Sequence, residues 1–378
     1  MRLNHLMSLL LILIVATACV SSGGHTGSEV LSAPDEFGTV TYSHCFTSGH
    51  MFHALGGITP HEDLSPLNSK GVSYNLDQKI WDVWPTRNGP APKGNFSAAQ
   101  IGLNIYVFGG EEKSRRTSND LFVFDSFKQE WTRIGQNAKI IGRRSASLTA
   151  VGGSLVLFGG QTEDHQNNWG KFDTSTQKWT AFDSFTKERI SNIAVAVDSK
   201  VFIWGGFEGK IRSDEGLLLF PLTGAIETIP KSPLLDARAN AKAVGDGTRV
   251  YILGGMGNDG PKFDGAVYDV RDKTWTKIPA FTHTRKAFEM TLIPDKGLLV
   301  WGGREVDNTF QSAAFLLDQK TLIWRTVEIP NAPRGRLAHC LGTIDGRLYV
   351  FGGLSGDKTG GNLETSDELT LIPFGKIP

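Results

Sequence analysis

Cysteine is scarce in this 378-residue chain: Cys19, Cys45 and Cys340 are the only three, and no Cys-x-x-Cys pair occurs. A disulfide-dense scaffold and the common zinc ribbons are thereby excluded. An excess of one charge is missing as well, since 39 Lys+Arg balance 39 Asp+Glu. No global field draws in nucleic acid or anionic lipid. The usual enzyme signatures are also lacking, with no Gly-x-Ser-x-Gly elbow, Walker A loop or His-Glu-x-x-His. Long apolar runs are limited to one, Leu6 to Ala18, whose 13 residues span about 20 Å as a helix, short of the roughly 30 Å of a bilayer core. Glycine, by contrast, is abundant at 44 residues, and a composition of 40% hydrophobic and 10% aromatic residues describes a folded chain with many tight turns between short strands.

That apolar run follows Met1 and Arg2 and closes on the small residues Ala16-Thr17-Ala18 before Cys19. These are the three parts of a secretory signal peptide, expected over residues 1–18. Ala16-Thr17-Ala18-Cys19 resembles a bacterial lipobox, with Ala16 where Leu is commonest; the resemblance implies acylation of Cys19, and ordinary cleavage near Ala18 is the alternative. Val20, in place of the Asp tied to inner-membrane retention, favours the outer membrane by the same resemblance. Residues 19–27, rich in Ser and Gly, then read as a flexible tether, and the folded domain as 28–378.

Seven glycine pairs organise the rest: Gly56-Gly57, Gly109-Gly110, Gly159-Gly160, Gly205-Gly206, Gly254-Gly255, Gly302-Gly303 and Gly352-Gly353, at spacings of 53, 50, 46, 49, 48 and 50. A period near fifty is the mark of a repeat architecture. Each pair ends an apolar stretch such as Tyr106-Val107-Phe108, which reads as a strand running into a tight turn. Further on, an Asp is followed six residues later by Trp, as in Asp125 and Trp131, Asp173 and Trp179, Asp269 and Trp275, Asp318 and Trp324, with Asn75 and Trp81 a variant. The unit after Gly206 departs, carrying Phe220 and Ile226 at those positions.

This motif set resembles the kelch repeats of β-propellers over nearly all of residues 28–378. The resemblance implies an all-β fold, a seven-bladed kelch-type β-propeller of four-stranded antiparallel blades, with six blades as the alternative. The last unit lacks a fourth strand, and the family habit of lending one from the opposite terminus implies that Glu29-Val30-Leu31-Ser32 closes the ring on the last blade. Ring closure then sets Cys45 beside Cys340, which form a disulfide in an oxidising compartment or remain two buried thiols. A one-residue register shift decides between them.

Gly255 to Gly260 spells G-x-G-x-x-G, but a strand rather than a helix is expected after it, so dinucleotide binding is rejected. A metal site among His44, His50, His53, His339 and the thiols has no ligand spacing to support it. Neither a metal nor a cofactor is expected, and the ligand set of copper-dependent kelch oxidases is not reproduced. The most informative pattern is basic: Lys93, Arg143, Arg189, Arg238 and Arg336 stand sixteen residues before a glycine pair, with Arg285 offset by one and Val40 breaking the series. Antiparallel strands place all six at the end of the blade that carries the loops after Gly-Gly. They are expected to line a basic channel mouth that takes carboxylates, and kelch relatives imply the same use. The alternative is that they pair with neighbouring acids or cap loop carbonyls. Arg115, Arg116 and Arg304 in the loops extend the same face. The expected function is that of a monomeric cell-envelope lipoprotein, held to the membrane by its lipid only, that binds an envelope protein or an acidic glycan or peptide without catalysis. The alternative is a secreted mutarotase- or epimerase-like enzyme on an acidic sugar, with Glu289 and His339 as candidate acid/base groups.

Overall fold

The computed structural model describes residues 28–58, 70–163, 168–182, 188–280, 285–329, 331–357 and 362–377. The expected signal peptide, Cys19 and the tether lie outside the described residues. Among the described residues, seven four-stranded antiparallel sheets hold most of the strand residues, with a 3-10 turn at Phe374–Lys376. No helix of the described residues is long and apolar enough to cross a membrane.

The second sheet shows how one repeat folds. Ser97–Ile101, Asn104–Phe108, Leu121–Asp125 and Glu130–Ile134 pair in chain order, each strand antiparallel to the next. Asn104–Phe108, flanked on both sides, buries Ile105 to Phe108. Gly109 and Gly110 then take φ of 69° and 91°, and a Cβ would stand 2.5 Å from the Arg143 carbonyl oxygen at the first and 2.9 Å from that of Gly94 at the second. Only glycine fits such an approach. At the other end Asp125 accepts hydrogen bonds from the amides of Phe127 and Lys128, both 3.0 Å, a turn that starts the fourth strand. Asn75, Asp173, Asp269 and Asp318 make the same pair of bonds. In the fourth sheet Phe220 stands there instead, and Gly224, at φ 78°, turns the chain with its amide on the Phe220 carbonyl.

Cohesion lies between sheets. Seven apolar clusters are present, one in each gap between successive sheets, the last joining the seventh sheet to the first through Phe52, Tyr74, Tyr349 and Phe351. The recurring tryptophans reach back across these gaps: Trp179 meets Phe108 edge-on at 5.6 Å, while Trp275 and Trp324 donate their indole N–H to the carbonyls of Pro230 and Pro279 in the preceding sheet. Such nearest-neighbour packing is how a ring of repeats buries surface that no single sheet can bury alone. Trp169 is one of these core groups, fully buried and stacked on Phe182 at 4.2 Å.

The innermost strands stand side by side about a common axis, in the order Ser97–Ile101, Ser147–Val151, Ile193–Val197, Lys242–Gly245, Glu289–Ile293, Cys340–Ile344 and His44–Ser48. Contact between His44 and Phe96, 5.1 Å between rings, brings the first sheet back to the second. The seventh sheet is completed from the other end of the chain, Glu29–Ser32 pairing with Glu368–Pro373 in the register Glu29 to Leu371 and Ser32 to Glu368. At the same seam the structure joins Cys45 to Cys340 by a disulfide with Cα atoms 6.1 Å apart, linking the innermost strands of the first and seventh sheets.

Candidate binding face at the channel mouth

The ends of the sheets that carry the Gly-Gly turns form one face around the axis. Just before each innermost strand the chain pairs with the residue that follows Gly-Gly: Thr41 with Ile58, Gly94 with Glu111, Arg144 with Gln161, Ile190 with Phe207, Ala239 with Met256, Lys286 with Arg304 and Leu337 with Leu354. One residue further on, Tyr42, Asn95, Ser145, Ser191, Asn240, Ala287 and Ala338 each hold a positive φ of 52° to 57°. A non-glycine residue held in the left-handed region is strained, and such residues gather where a scaffold aims groups at a ligand. Their backbones are bonded between neighbouring sheets, the amides of Tyr42, Ser145 and Asn240 donating to the carbonyls of Ala338, Asn95 and Ser191 at 2.9, 2.7 and 3.0 Å. The result is a rigid collar of fixed backbone and varied side chains.

The six cations lie directly beneath this collar. Their exposures run from 0% to 5%, so none of them lines an open mouth. Arg143, Arg238 and Arg336 act in two directions, and Arg189 and Arg285 in one of them. The main-chain carbonyls of Arg143, Arg189, Arg238 and Arg336 accept from the second glycine of the preceding sheet, Gly110, Gly160, Gly206 and Gly303, at 2.8 to 2.9 Å. The side chains of Arg143, Arg238, Arg285 and Arg336 donate to the first glycine of their own sheet, at the carbonyls of Gly159, Gly254, Gly302 and Gly352. A spacing of sixteen residues is therefore the length of one innermost hairpin, out and back. Nε of Arg143, Arg238 and Arg336 donates to the carbonyl two residues upstream, at Ile141, Asp236 and Arg334, and other donors meet residues of the loop and third strand. Lys93 bonds Ser118 at 2.7 Å and Asp120 at 3.3 Å, and Arg143 holds Asn168 through both its carbonyl and its side chain at 2.6 Å. Arg189 pairs with Glu208 and Glu215, Arg238 takes Asp264 bidentately at 2.6 and 3.2 Å, and Arg336 reaches Glu368 at 3.4 Å. In the first sheet Val40 occupies the equivalent place as a fully buried apolar group, and its carbonyl still accepts from Gly353 at 2.9 Å.

Electrostatics follow from that burial. Loss of water lowers the Arg143 and Arg285 guanidinium pKa to about 10, offset in part by Glu188 and Glu305 respectively, and both remain charged at neutral pH. Burial alone would raise the Asp120 carboxyl, but hydrogen bonds from Arg133 and Gln136 and the Lys93 charge bring it down to about 2.

Of the two acid/base candidates, Glu289 accepts from Lys242 at 2.6 Å across adjacent innermost strands, and its enclosure raises the carboxyl pKa. His339 is packed edge-on to Trp301 at 4.9 Å, its pKa held well below 6.5 by burial and by the Arg336 and Lys242 charges. The groups that face solvent on this side are others: Tyr42 at 63% exposure, Ile58 at 53%, Lys286, Arg115 and Arg116, with Arg304 half-buried against Phe310. Sequence reasoning passed over the collar because no single residue type marks its seven members; their common signal is a place two residues after each of the six cations and after Val40.

The comparisons agree with this architecture. The family model described as the KLHDC2/KLHL20/DRC7 Kelch-repeats domain matches residues 38–206 and 240–371, and the chain belongs to the kelch-repeat family. It is similar to Kelch-like protein 25 of Xenopus tropicalis, 28% identical over 42% of this chain and 27% of that protein. It is also similar to Host cell factor of Drosophila melanogaster, 25% identical over 75% of this chain and 19% of that protein. A third relative, Putative adagio-like protein 2 of Oryza sativa subsp. japonica, is 26% identical over 74% of this chain and 49% of its own length. The chain thus spans about a quarter of the length of the Kelch-like protein it matches.

Proposed function

We propose that this kelch protein is a non-catalytic protein-interaction module that reads its partner with the collar and the loops after Gly-Gly. The observation that carries the reading is the ring of seven left-handed residues, whose backbone repeats while their side chains differ. On the same face, Tyr42 and Ile58 are exposed apolar groups, and Arg115, Arg116 and Lys286 supply exposed positive charge. A partner segment carrying apolar groups beside carboxylates matches that distribution. The six buried cations then serve recognition by holding the loops in place. Loops on a rigid frame are where binding residues concentrate.

The reading extends to export and a lipid on Cys19, supported by the signal-like run Leu6 to Ala18 and by a disulfide of the kind that persists in oxidising compartments. Labelling with a palmitate analogue, abolished by Cys19→Ser, is the expected result; equal labelling of the variant removes the anchor. For the binding face, a photo-reactive amino acid placed at Tyr42, Ser191 or Asn240 is expected to cross-link the same partner segment, while one at Ile80, on an outermost strand, is not. Cross-links gathered at Ile80 and absent from the collar would sink the reading.

A further inference from the structure

The face opposite the collar carries the turns that join the first strand to the second and the third to the fourth. Two residues after the Asn or Asp that caps the second of these turns, or after Phe220 in its place, stand Asp77, Phe127, Ser175, Leu222, Arg271 and Lys320 in sheets one to six, all exposed. Four of them are polar and answer to water. Phe127 at 81% and Leu222 at 86% are the most exposed large apolar side chains among the described residues. Neither side chain is needed by its turn, which is held by the Phe127 amide on Asp125 at 3.0 Å in one case and the Gly224 amide on the Phe220 carbonyl at 2.8 Å in the other. Leu103, 49% exposed, lies on the adjoining turn of sheet two, its carbonyl accepting from the Ser126 amide at 3.0 Å.

The chain enters the fold at this same face. Glu29 pairs with Leu371, two residues short of Pro373, and Pro373 pairs with Arg347 beside the turn that starts the second strand of sheet seven. The Glu29 carboxylate accepts from Lys79 at 2.7 Å and stands 3.6 Å from Arg347, both at that end of sheets one and seven. Residues 19–27, which precede Ser28, can span no more than about 30 Å even when fully extended. The entry at sheet seven, Phe127 on sheet two and Leu222 on sheet four are two, two and three sheets apart around the ring, so the three points define a plane that faces away from the collar.

We propose that this face docks on the lipid surface that anchors Cys19, with Phe127, Leu103 and Leu222 entering the boundary between headgroups and acyl chains, so that the collar points away from the membrane. A lipid on so short a tether keeps the face at high effective concentration beside the bilayer, where a few apolar tips suffice to hold it down. Charges on these turns carry both signs, Lys128 and Arg271 against Asp272 and Asp345, so the attraction is to the apolar layer and not to anionic headgroups. The inference rests on the lipid at Cys19 put forward above and is independent of what the collar binds.

The test uses the full chain, produced with its lipid and reconstituted in phosphatidylethanolamine vesicles, with and without phosphatidylglycerol, that carry a phospholipid with a photo-reactive acyl chain. Adducts are located by mass spectrometry, and vesicle flotation reports the anchor separately. The turns of Phe127 and Leu222 are expected to label about tenfold more than Ile211, an apolar side chain 74% exposed on the collar face, in both kinds of vesicle. Phe127→Asp with Leu222→Asp is expected to lose those adducts while it still floats with the vesicles and melts as the wild type does. A chain that floats yet labels equally on the two faces, or more at Ile211, overturns the proposal and leaves the lipid on Cys19 standing. Labelling confined to vesicles with phosphatidylglycerol overturns apolar docking in favour of headgroup charge. A dimer in detergent that the double variant dissolves assigns the tips to a second copy and overturns it as well. Failure of the wild type to float withdraws the lipid, and the docking with it.

Discussion

The clamp layer and the collar above it are built on the same repeat, yet they use it in opposite ways. Beneath, Arg143, Arg238 and Arg336 repeat one chemistry at one spacing, each tying the glycine pair of its own sheet to that of the sheet before. Two residues further along the chain, the collar repeats only a backbone angle, and its side chains range from Tyr42 through Asn95 and Ser191 to Ala338. Constant chemistry at a repeated position answers a demand made by the fold in every sheet. Varied chemistry on a constant backbone leaves the side chain free to answer something outside it.

The largest expected effect breaks the clamp. Arg238→Ala removes a fully buried guanidinium and leaves Asp264 and the Gly254 carbonyl without their donor, so unfolding in denaturant should show a loss of about 3–5 kcal/mol. A loss below about 1 kcal/mol would return Arg238 to the surface role that its charge suggests. Next comes the seam. Cys45→Ser with Cys340→Ser opens a bridge across 295 residues and should lower stability by about 2–5 kcal/mol, matched by adding a reductant to the wild type. Reductant without effect on the melting temperature would contradict it.

A third test uses pH within the first sheet. His53 is fully buried, its Nε2 bonded to Ser48 at 2.8 Å and its Nδ1 to Ser73 at 2.7 Å. Ser73 Oγ also accepts from the Trp84 indole, so the neutral ring has both of its nitrogens paired inside the sheet. Burial lowers this histidine from 6.5 to about 4. The unfolded chain then binds the proton first as pH falls, so the contribution is complete above about pH 6.5 and shrinks down to about pH 4, a change on the order of 3 kcal/mol. His339, displaced in the same direction, adds to that slope. His53→Gln should flatten the dependence between pH 7 and 5, measured by denaturant midpoints; an unchanged slope would remove His53 as its source.

The glycine pairs and the Asp-to-Trp interval were legible in the chain because each answers a local demand: a positive φ against a neighbouring carbonyl, or two amides to cap at a turn. The lent strand Glu29–Ser32 was legible from the missing fourth strand of the last repeat. Spacing revealed that the cations share one end of the sheets but not what they hold. Their partners stand at unequal distances in loops of unequal length, Asn168 25 residues beyond Arg143 and Glu368 32 beyond Arg336. The cysteines show the limit of register. Cys45 is the second residue of its strand and Cys340 the first of its own, an offset of one that the sequence leaves open and only packing across the seam decides.

The division between clamp and collar is tested most directly by arginine-selective labelling of the native protein with phenylglyoxal, read site by site by mass spectrometry. Burial of Arg143, Arg189, Arg238, Arg285 and Arg336 predicts that they resist modification until the protein is unfolded, while the exposed Arg115 and Arg116 react at once. Modification of Arg189 and Arg238 in the folded protein at the rate of Arg115 would contradict the account and put the cations back at an open basic mouth.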